Sequence, residues 1–502
     1  MTDQGTVLVI GAGIGGIATS IFLARRGLKV DVYEKNISAG GRCGHIVRDG
    51  HRFDVGATMV LMPEVYRDVF NSLGLKLEED LRMKPLDDIY TLWFDDGTRL
   101  AFTTDRKRME EQLEKIEPGS YARAERYVKT GVSLYKMAFE RLLGRNFTRF
   151  FQFFNLSNAL LLIKLKTYLR HYSYTARFFR SEHLRMAYTF QNIYVGQSPF
   201  SAPALFSMIP AAELTEGSMF PVGGMYSVAE KLMAEAVGLG VRFHFAKPVK
   251  KIITEAGRAA GVLFADGTEA RADIIVANAD LPYVYRELLP PSLKSRRIER
   301  MKYSCSALVL HWAVDKQYPQ LGQHSTFLAD SFREGLDKIF IDKSMGDDPC
   351  FYIHAPVRTD PSAAPEGCDS LSVAVGVGHL DPKRPQDWDL ITERARRAVF
   401  SKLRKIGIAD IEEHIKFEIV TTPGSWEEAL NVSRGSVFGS IGHNILQMGW
   451  FRPHNRDRRY RNLYFTGGST HPGNGIPMVL LSARLVSERI INEQISDSSG
   501  KR

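Results

Sequence analysis

Residues 7–10, Val-Leu-Val-Ile, run straight into Gly11-x-Gly13-x-x-Gly16. Glycines at this spacing build an anion site from backbone alone. Gly11 permits a tight turn, Gly13 lets a pyrophosphate approach, and Gly16 lets a following helix pack close; Gly15 is grouped with them on the phosphate side. Glu34 ends a second apolar-alternating run, where a carboxylate can accept both ribose hydroxyls of an adenosine. Gly40-Gly41-Arg42 adds a turn and a guanidinium suited to a second phosphate contact, with a surface ion pair as the alternative use of Arg42. Gly56-Ala57 offers small residues against which a flat ring can lie. The set points to a bulky two-phosphate dinucleotide and goes beyond what NAD alone requires. Near the other end, residues 469–477, Ser-Thr-His-Pro-Gly-Asn-Gly-Ile-Pro, form a loop that opens a helix. A helix N-terminus there can stabilise the negative charge of a reduced flavin. His471 is the candidate proton carrier in that loop, although a histidine beside Pro-Gly can equally fix loop shape; Glu182 and Arg185 are the other candidates. No carboxylate–histidine constellation stands out.

These residues require a βαβ frame: strand 7–10, a helix to Arg26 stopped by Gly27, and strand 29–34. Residues 92–102 read as a hairpin around Asp96-Gly97, and 105–143 as helices broken at Pro118-Gly119. Residues 191–204 form a nearly uncharged loop that either lines an apolar tunnel or joins helices. Residues 220–225 open a helix to about 239. Strand 241–245, the meander 249–271 and the buried strand 272–277 then follow. Strands 307–312 and 371–377 and helix 389–406 belong to a second region. Strand 462–468 and helix 478–492, with Pro477 at its first position, close the chain. The expected division is a discontinuous nucleotide-binding domain (1–80, 220–290, 440–496) and a substrate domain (81–219, 291–439).

The chain of 502 residues is 44% apolar and 25% charged, which suits a globular protein with two or three cores. Its four cysteines, Cys43, Cys305, Cys350 and Cys368, make no CxxC pair. Disulfides and a metal site are therefore not expected, and a reducing compartment is. Asp3 and the absence of a basic leader speak against a signal peptide, and no run of about 18 apolar residues announces a transmembrane helix. The net charge is +9. Residues 141–181 hold eight bases (Arg141, Arg145, Arg149, Lys164, Lys166, Arg170, Arg177, Arg180) and no acid; setting them aside leaves 58 bases against 57 acids. Ten aromatics are interleaved with them, among them Phe147, Phe150, Phe151, Tyr174 and Phe179. That pattern suits an interfacial helix on anionic lipid, a helical lid with its aromatics in the core, or a nucleic-acid surface. Leu160 to Ile163 beside the charges favours lipid, so no nucleic-acid partner is expected.

The opening motif, Gly40-Gly41-Arg42, Phe220-Pro-x-Gly223-Gly224 and above all Gly468-x-Thr470-His471-Pro472-Gly473-x-Gly475-x-Pro477 resemble the phytoene desaturase family of flavin-dependent carotenoid desaturases. The resemblance runs through Glu182-His-Leu-Arg and the Gly196-x-x-Pro199-Phe200 loop. It implies an α/β, glutathione-reductase-like FAD domain with a discontinuous, inserted α+β substrate and membrane domain. It also implies a cytoplasmic enzyme peripheral on a membrane, which takes a long linear C30–C40 polyene and is reoxidised by a quinone or oxygen. By position, Gly11, Gly13, Gly16, Glu34, Lys35, Gly41, Arg42 and Ala57 would hold the ADP part and ring edge. Val249 would meet the adenine through its backbone, and Gly468, Gly475 and Met478 would cover the flavin. Val222 stands where a basic residue is usual, and Asn474 and Met478 where small residues are usual. These departures are expected near the ring. An isomerase or saturase of the same family, an amine oxidase, and a lipid-surface protein holding FAD structurally are the other readings. The basic 141–181 stretch speaks against the cationic substrate of an amine oxidase.

Overall fold

The computed structural model describes residues 5–495, so Asp3 and position 496 lie outside the described residues. Thr6–Ile10 is the middle strand of a five-stranded sheet ordered Arg242–His244, Lys29–Tyr33, Thr6–Ile10, Ile274–Ala277, Leu463–Phe465. All four pairings are parallel. A parallel sheet is covered on both faces, which is why Val7 to Ile10 is an unbroken apolar run. Val7 and Val9 pack under helices Ile14–Ala24, Tyr226–Gly238 and Ile476–Ile490. Leu8 and Ile10 pack on the other face, against the meander of 249–271 and the helix that begins at Leu281. Strands from the early, middle and late parts of the described chain therefore meet in one sheet.

The second sheet has seven strands, ordered Ile415–Thr421, Ser306–Val314, Asp369–Val377, Phe351–His354, His324–Leu328, Asp88–Phe94, Arg99–Thr103. Its pairings are antiparallel except the contact between Asp88–Phe94 and His324–Leu328. Leu308, Leu310, Trp312 and Val373 pack under helix Trp388–Lys405. The alternate residues Ala307, Val309, Ser372, Ala374 and Gly376 face a cavity. Their small size leaves room there. Helix Ser120–Ala138 crosses helix Met208–Glu216 closely, since a Cβ on Gly131 would lie 2.4 Å from the Ala211 Cβ.

Residues 141–181 do not form one interfacial helix. They break into Phe150–Phe153, Leu156–Lys164 and His171–Thr175. The cause is local: the Asn155 side chain caps the second piece by accepting from the Asn158 N–H at 2.9 Å, and Lys166 adopts a left-handed φ of 53°. The stretch also divides by environment. His171, Tyr174 and Phe179 are buried, as in a core lid, whereas Phe150, Phe151, Leu156, Leu160, Ile163 and Tyr168 are exposed. Smaller differences concern ends. The closing helix begins at Ile476, so Pro477 is its second residue, where a missing N–H still costs nothing. The strand expected over 462–468 is limited to Leu463–Phe465, because the backbone turns at Gly467, φ 107°. Among the described residues, no helix is long and apolar enough to cross a membrane, no group of His, Cys, Asp and Glu could hold a metal, and all four cysteines are free.

Candidate active site

At the nucleotide end, Gly11 takes φ 97° and turns the chain from strand into helix. A Cβ on Gly16 would stand 2.2 Å from the Gly11 carbonyl oxygen, so Gly16 is a packing residue and does not border the cavity; Gly11, Gly13 and Gly15 do. Gly13 caps helix Ile14–Ala24 without a side-chain acceptor, so the first-turn N–H groups face the cavity uncapped. Glu34 is buried and holds this loop: its oxygens accept from the Ala12 N–H at 2.8 Å and the Asn36 N–H at 2.9 Å. Lys35 donates to the Glu428 carbonyl at 2.6 Å and to Asn431 Oδ1 at 3.1 Å, and burial pulls its pKa down. Val249 borders the same end.

A parallel bridge between Gly13 and Gly40 brings Gly40-Gly41-Arg42 against the first loop. A Cβ on Gly41 would come 3.5 Å from the Gly13 Cα, so backbone meets backbone there. Arg42 donates to the Val437 carbonyl at 3.1 Å; burial lowers its pKa and nearby Asp280 opposes that shift. Its Nη2 lies within 3.2 Å of where a Gly468 Cβ would be, so one guanidinium reaches from the first motif to the last. Gly56 passes so near the Arg42 carbonyl that a Cβ would stand 2.4 Å from it. Ala57, Gly468, Gly475 and Met478 border the cavity beyond. Gly475, φ 85°, precedes the closing helix, again without a side-chain cap. Two uncapped helix N-termini on one cavity, with a half-buried guanidinium between their loops, fit a dinucleotide with phosphates at the first and an electron-rich ring at the second.

Side chains unmarked in the sequence hold the closing loop. Arg452 is fully buried and donates to the Thr470 carbonyl at 2.8 Å and the Gly468 carbonyl at 2.6 Å. With no carboxylate beside it, its pKa is pulled down to about 9, which still leaves it charged at neutral pH. Asp280 accepts from Ser433 N–H at 3.0 Å, from the Ser440 hydroxyl at 2.7 Å and from the Ser469 hydroxyl. Asn278 lies beside Gly13 and Gly15. Asn278 and Asp280 follow the buried strand Ile274–Ala277, and ligands gather at the carboxyl ends of parallel strands; that was the available signal for them. His471 donates through Nε2 to the Arg145 carbonyl at 2.9 Å, is held neutral by burial with a pKa near 4, and does not border the cavity. Glu182 and Arg185 are also away from it, engaged by Tyr172 and by the Phe179 carbonyl. Of the three departures, Asn474 and Met478 border the cavity, but Val222 does not; its N–H donates to the Arg82 carbonyl at 2.9 Å.

The cavity is continuous and encloses about 1210 Å³. From the loops it runs past Ile193, Tyr194, Leu205 and Phe206, so residues 191–204 do line a tunnel. Phe153, Phe154, Ala159, Leu162, Ile445 and Phe451 also line it. Those residues adjoin the exposed Phe150, Phe151, Leu156, Leu160 and Ile163, and the Trp450 ring lies 6.0 Å from that of Phe150. Polar groups are sparse along it. Thr58 bonds Tyr352 at 2.8 Å, Tyr352 bonds His324 at 2.6 Å, and Glu213 is one of the four carboxyls on the cavity, with Glu34, Asp54 and Asp280.

The family of flavin containing amine oxidoreductases matches residues 14–491. A zeta-carotene-forming phytoene desaturase of Myxococcus xanthus is 39% identical over 492 residues, covering 98% of this chain and 94% of its own length. A phytoene desaturase of Phycomyces blakesleeanus is 37% identical over 494 residues, covering 96% and 85%. Among solved structures, a cofactor-binding mutant of putrescine oxidase superposes with a TM-score of 0.64 at 15% identity, over 97% of this chain and 99% of that one, a likeness of fold.

Proposed function

The chain belongs to the phytoene desaturase branch of the flavin-containing amine oxidoreductases, and we propose that it desaturates a long linear C30–C40 isoprenoid taken from a membrane surface. It is an FAD-dependent oxidoreductase. One observation carries the rest: a single, largely apolar cavity runs from the glycine-rich loops to an exposed apolar patch.

Gly13, Gly15 and Gly41 would offer backbone N–H groups to the pyrophosphate, and Arg42 its guanidinium, while Gly11, whose own N–H donates to the Tyr33 carbonyl at 2.8 Å, supplies the turn. Glu34 meets the ribose, while Lys35 and Val249 bound the adenosine end. Gly56 and Ala57 would border the flavin ring, as would Gly468, Gly475 and Met478. The bound FAD supplies a two-electron acceptor for a hydride from an allylic carbon. The protein orients the chain, excludes water and receives the leftover proton. Apolar walls suit this work, since a polyene has no polar handle and is held by shape and burial. Phe150, Phe151, Leu156, Leu160 and Ile163 would enter the lipid, with Arg149, Lys164 and Arg170 at the headgroups. A quinone in the same membrane, or oxygen, would reoxidise the flavin.

The test is direct. Purified protein should be yellow and should convert phytoene in liposomes with added quinone to longer-conjugated products, seen in absorption spectra of the extracted pigments. A colourless protein that takes up no FAD, or phytoene left unchanged by a yellow one, would overturn the reading.

A further inference from the structure

Glu213 borders the cavity from helix Met208–Glu216 with only 1% of its surface exposed. Its Oε2 accepts from the Tyr90 hydroxyl at 2.7 Å. Gln191 supports Tyr90 from behind: its amide donates to the Tyr90 oxygen at 2.8 Å and to the Ala187 carbonyl at 2.8 Å. Gln191 also acts on the carboxyl itself and favours its ionised form, while Oε2 carries its one hydrogen bond of good geometry. The other, Oε1, is buried and has no hydrogen-bond partner.

The fold does not account for this group. Burying a carboxyl with an unpaired oxygen costs free energy. Elsewhere on the cavity the acids are engaged. Glu34 has both oxygens on backbone N–H groups, Asp280 holds three serines, and Asp54 accepts from the Met225 N–H at 2.9 Å. Among the described residues, no lysine or arginine pairs with Glu213. The titratable groups that act on it are Tyr90, from strand Asp88–Phe94, and Tyr194, from turn Phe190–Val195, with Tyr352 of strand Phe351–His354 beyond Tyr194. Burial holds all three phenols neutral. On its own helix, Glu216 is turned to Tyr135 and Glu64.

Position completes the case. Tyr194 ties this wall to the closing loop, because its carbonyl accepts from Asn474 at 3.3 Å. Glu213 therefore lines the same cavity as the closing loop, one residue contact away from it through Tyr194.

We propose that Glu213 accepts the proton that leaves the substrate as each double bond forms. The inference rests on the desaturase reading. One C–H bond breaks with its electron pair, leaving as hydride to the flavin. The neighbouring C–H bond breaks with its electrons staying behind as the new C=C bond, and its proton goes to Oε1 of the ionised carboxylate. The neutral acid that results must release that proton to solvent before the next step. Desolvation moves its pKa up to about 8, so turnover should rise about tenfold per pH unit below that value and level off above it.

The experiment compares wild type, Glu213→Gln and Glu213→Asp, all loaded with FAD. Difference infrared spectra should show a carboxylic acid C=O band that titrates near pH 8 in the wild type and is missing in Glu213→Gln. In liposomes, kcat for phytoene should fall at least about 100-fold in Glu213→Gln with KM little changed, and part should return in Glu213→Asp. Turnover of Glu213→Gln within about threefold of wild type, or a wild-type profile flat between about pH 6 and pH 9, overturns the inference and leaves the desaturase reading standing. Where Glu213→Gln fails to retain flavin, the wild type decides: coinciding infrared and kcat midpoints support the inference, and midpoints more than about one unit apart overturn it. A yellow wild type that leaves phytoene unchanged removes both readings.

Discussion

A carboxyl that keeps its proton in the folded chain leaves a signature in stability as well as in rate. Glu213 binds its proton up to about pH 8, whereas in the unfolded chain it releases it near 4.5. Between those values the unfolded state holds fewer protons than the folded state, so stability falls as pH rises, by up to about 1.4 kcal/mol per unit. Below 4.5 both states are protonated and the contribution is complete; above about 8 the loss is complete. Glutamine does not titrate. The difference in melting temperature, Glu213→Gln minus wild type, is therefore expected to climb by several degrees from pH 5 to pH 8, read by calorimetry on the flavin-free chain. A difference that stays constant over that range would show that Glu213 is already ionised at pH 5. Nothing in the sequence marks this residue. Glu213 and Glu216 share a helix three residues apart, and only tertiary packing puts one in the tunnel and the other on Tyr135.

Among the elements, the closing loop of 468–477 depends most on others. It is anchored by Arg452, by Asp280 through Ser469, and by Ser482, whose hydroxyl donates to the His471 carbonyl at 2.9 Å. Hydrogen bonds from a charged donor are worth about 1.5–3 kcal/mol each, and buried carbonyls left without one cost a comparable amount. Arg452→Met is therefore expected to weaken FAD binding at least about tenfold in a flavin fluorescence titration, with Arg452→Lys intermediate, because lysine lacks the fork that spans Thr470 and Gly468. Equal affinities in all three proteins would mean that the loop holds its shape without Arg452. The loop itself was legible, since Gly468 to Pro477 carries its own turn residues. Its support was not, because a lone arginine 16 residues upstream looks like any surface base. The βαβ frame was legible for the opposite reason: apolar runs, glycines and acid are adjacent in sequence, and local spacing fixes them. Residues 141–181 fall between these cases. Their composition announced apolar and basic surface, but which of the aromatics are exposed, like Phe151 and Tyr168, and which buried, like Phe153 and Tyr174, follows from packing.

At the scale of the whole molecule, the charge is as unevenly placed as the chemistry. Outside residues 141–181 the chain is close to neutral, and the exposed bases Arg145, Arg149, Lys164 and Arg170 flank the apolar patch at the cavity's outer end. Two attractions with different salt dependence should then act on one face. Each base near an anionic bilayer contributes about 1 kcal/mol, screened over roughly 10 Å at 0.1 M salt, whereas apolar insertion is not screened. Flotation with vesicles should separate the two. Replacing Arg149, Lys164 and Arg170 with glutamine should weaken binding to anionic vesicles at low salt and make little difference at high salt. Replacing Phe151, Leu156 and Ile163 with serine should weaken binding at every salt concentration, on the order of 100-fold or more, since fully burying each such side chain is worth about 1.5–3 kcal/mol. Flavin content should be unchanged in both variants, because none of the six residues borders the cavity. The serine variant should also lose turnover on phytoene in liposomes while still reacting with substrate dispersed in detergent. Undiminished vesicle binding by the serine variant would detach the patch from the membrane and leave the tunnel's mouth to be sought elsewhere along the cavity.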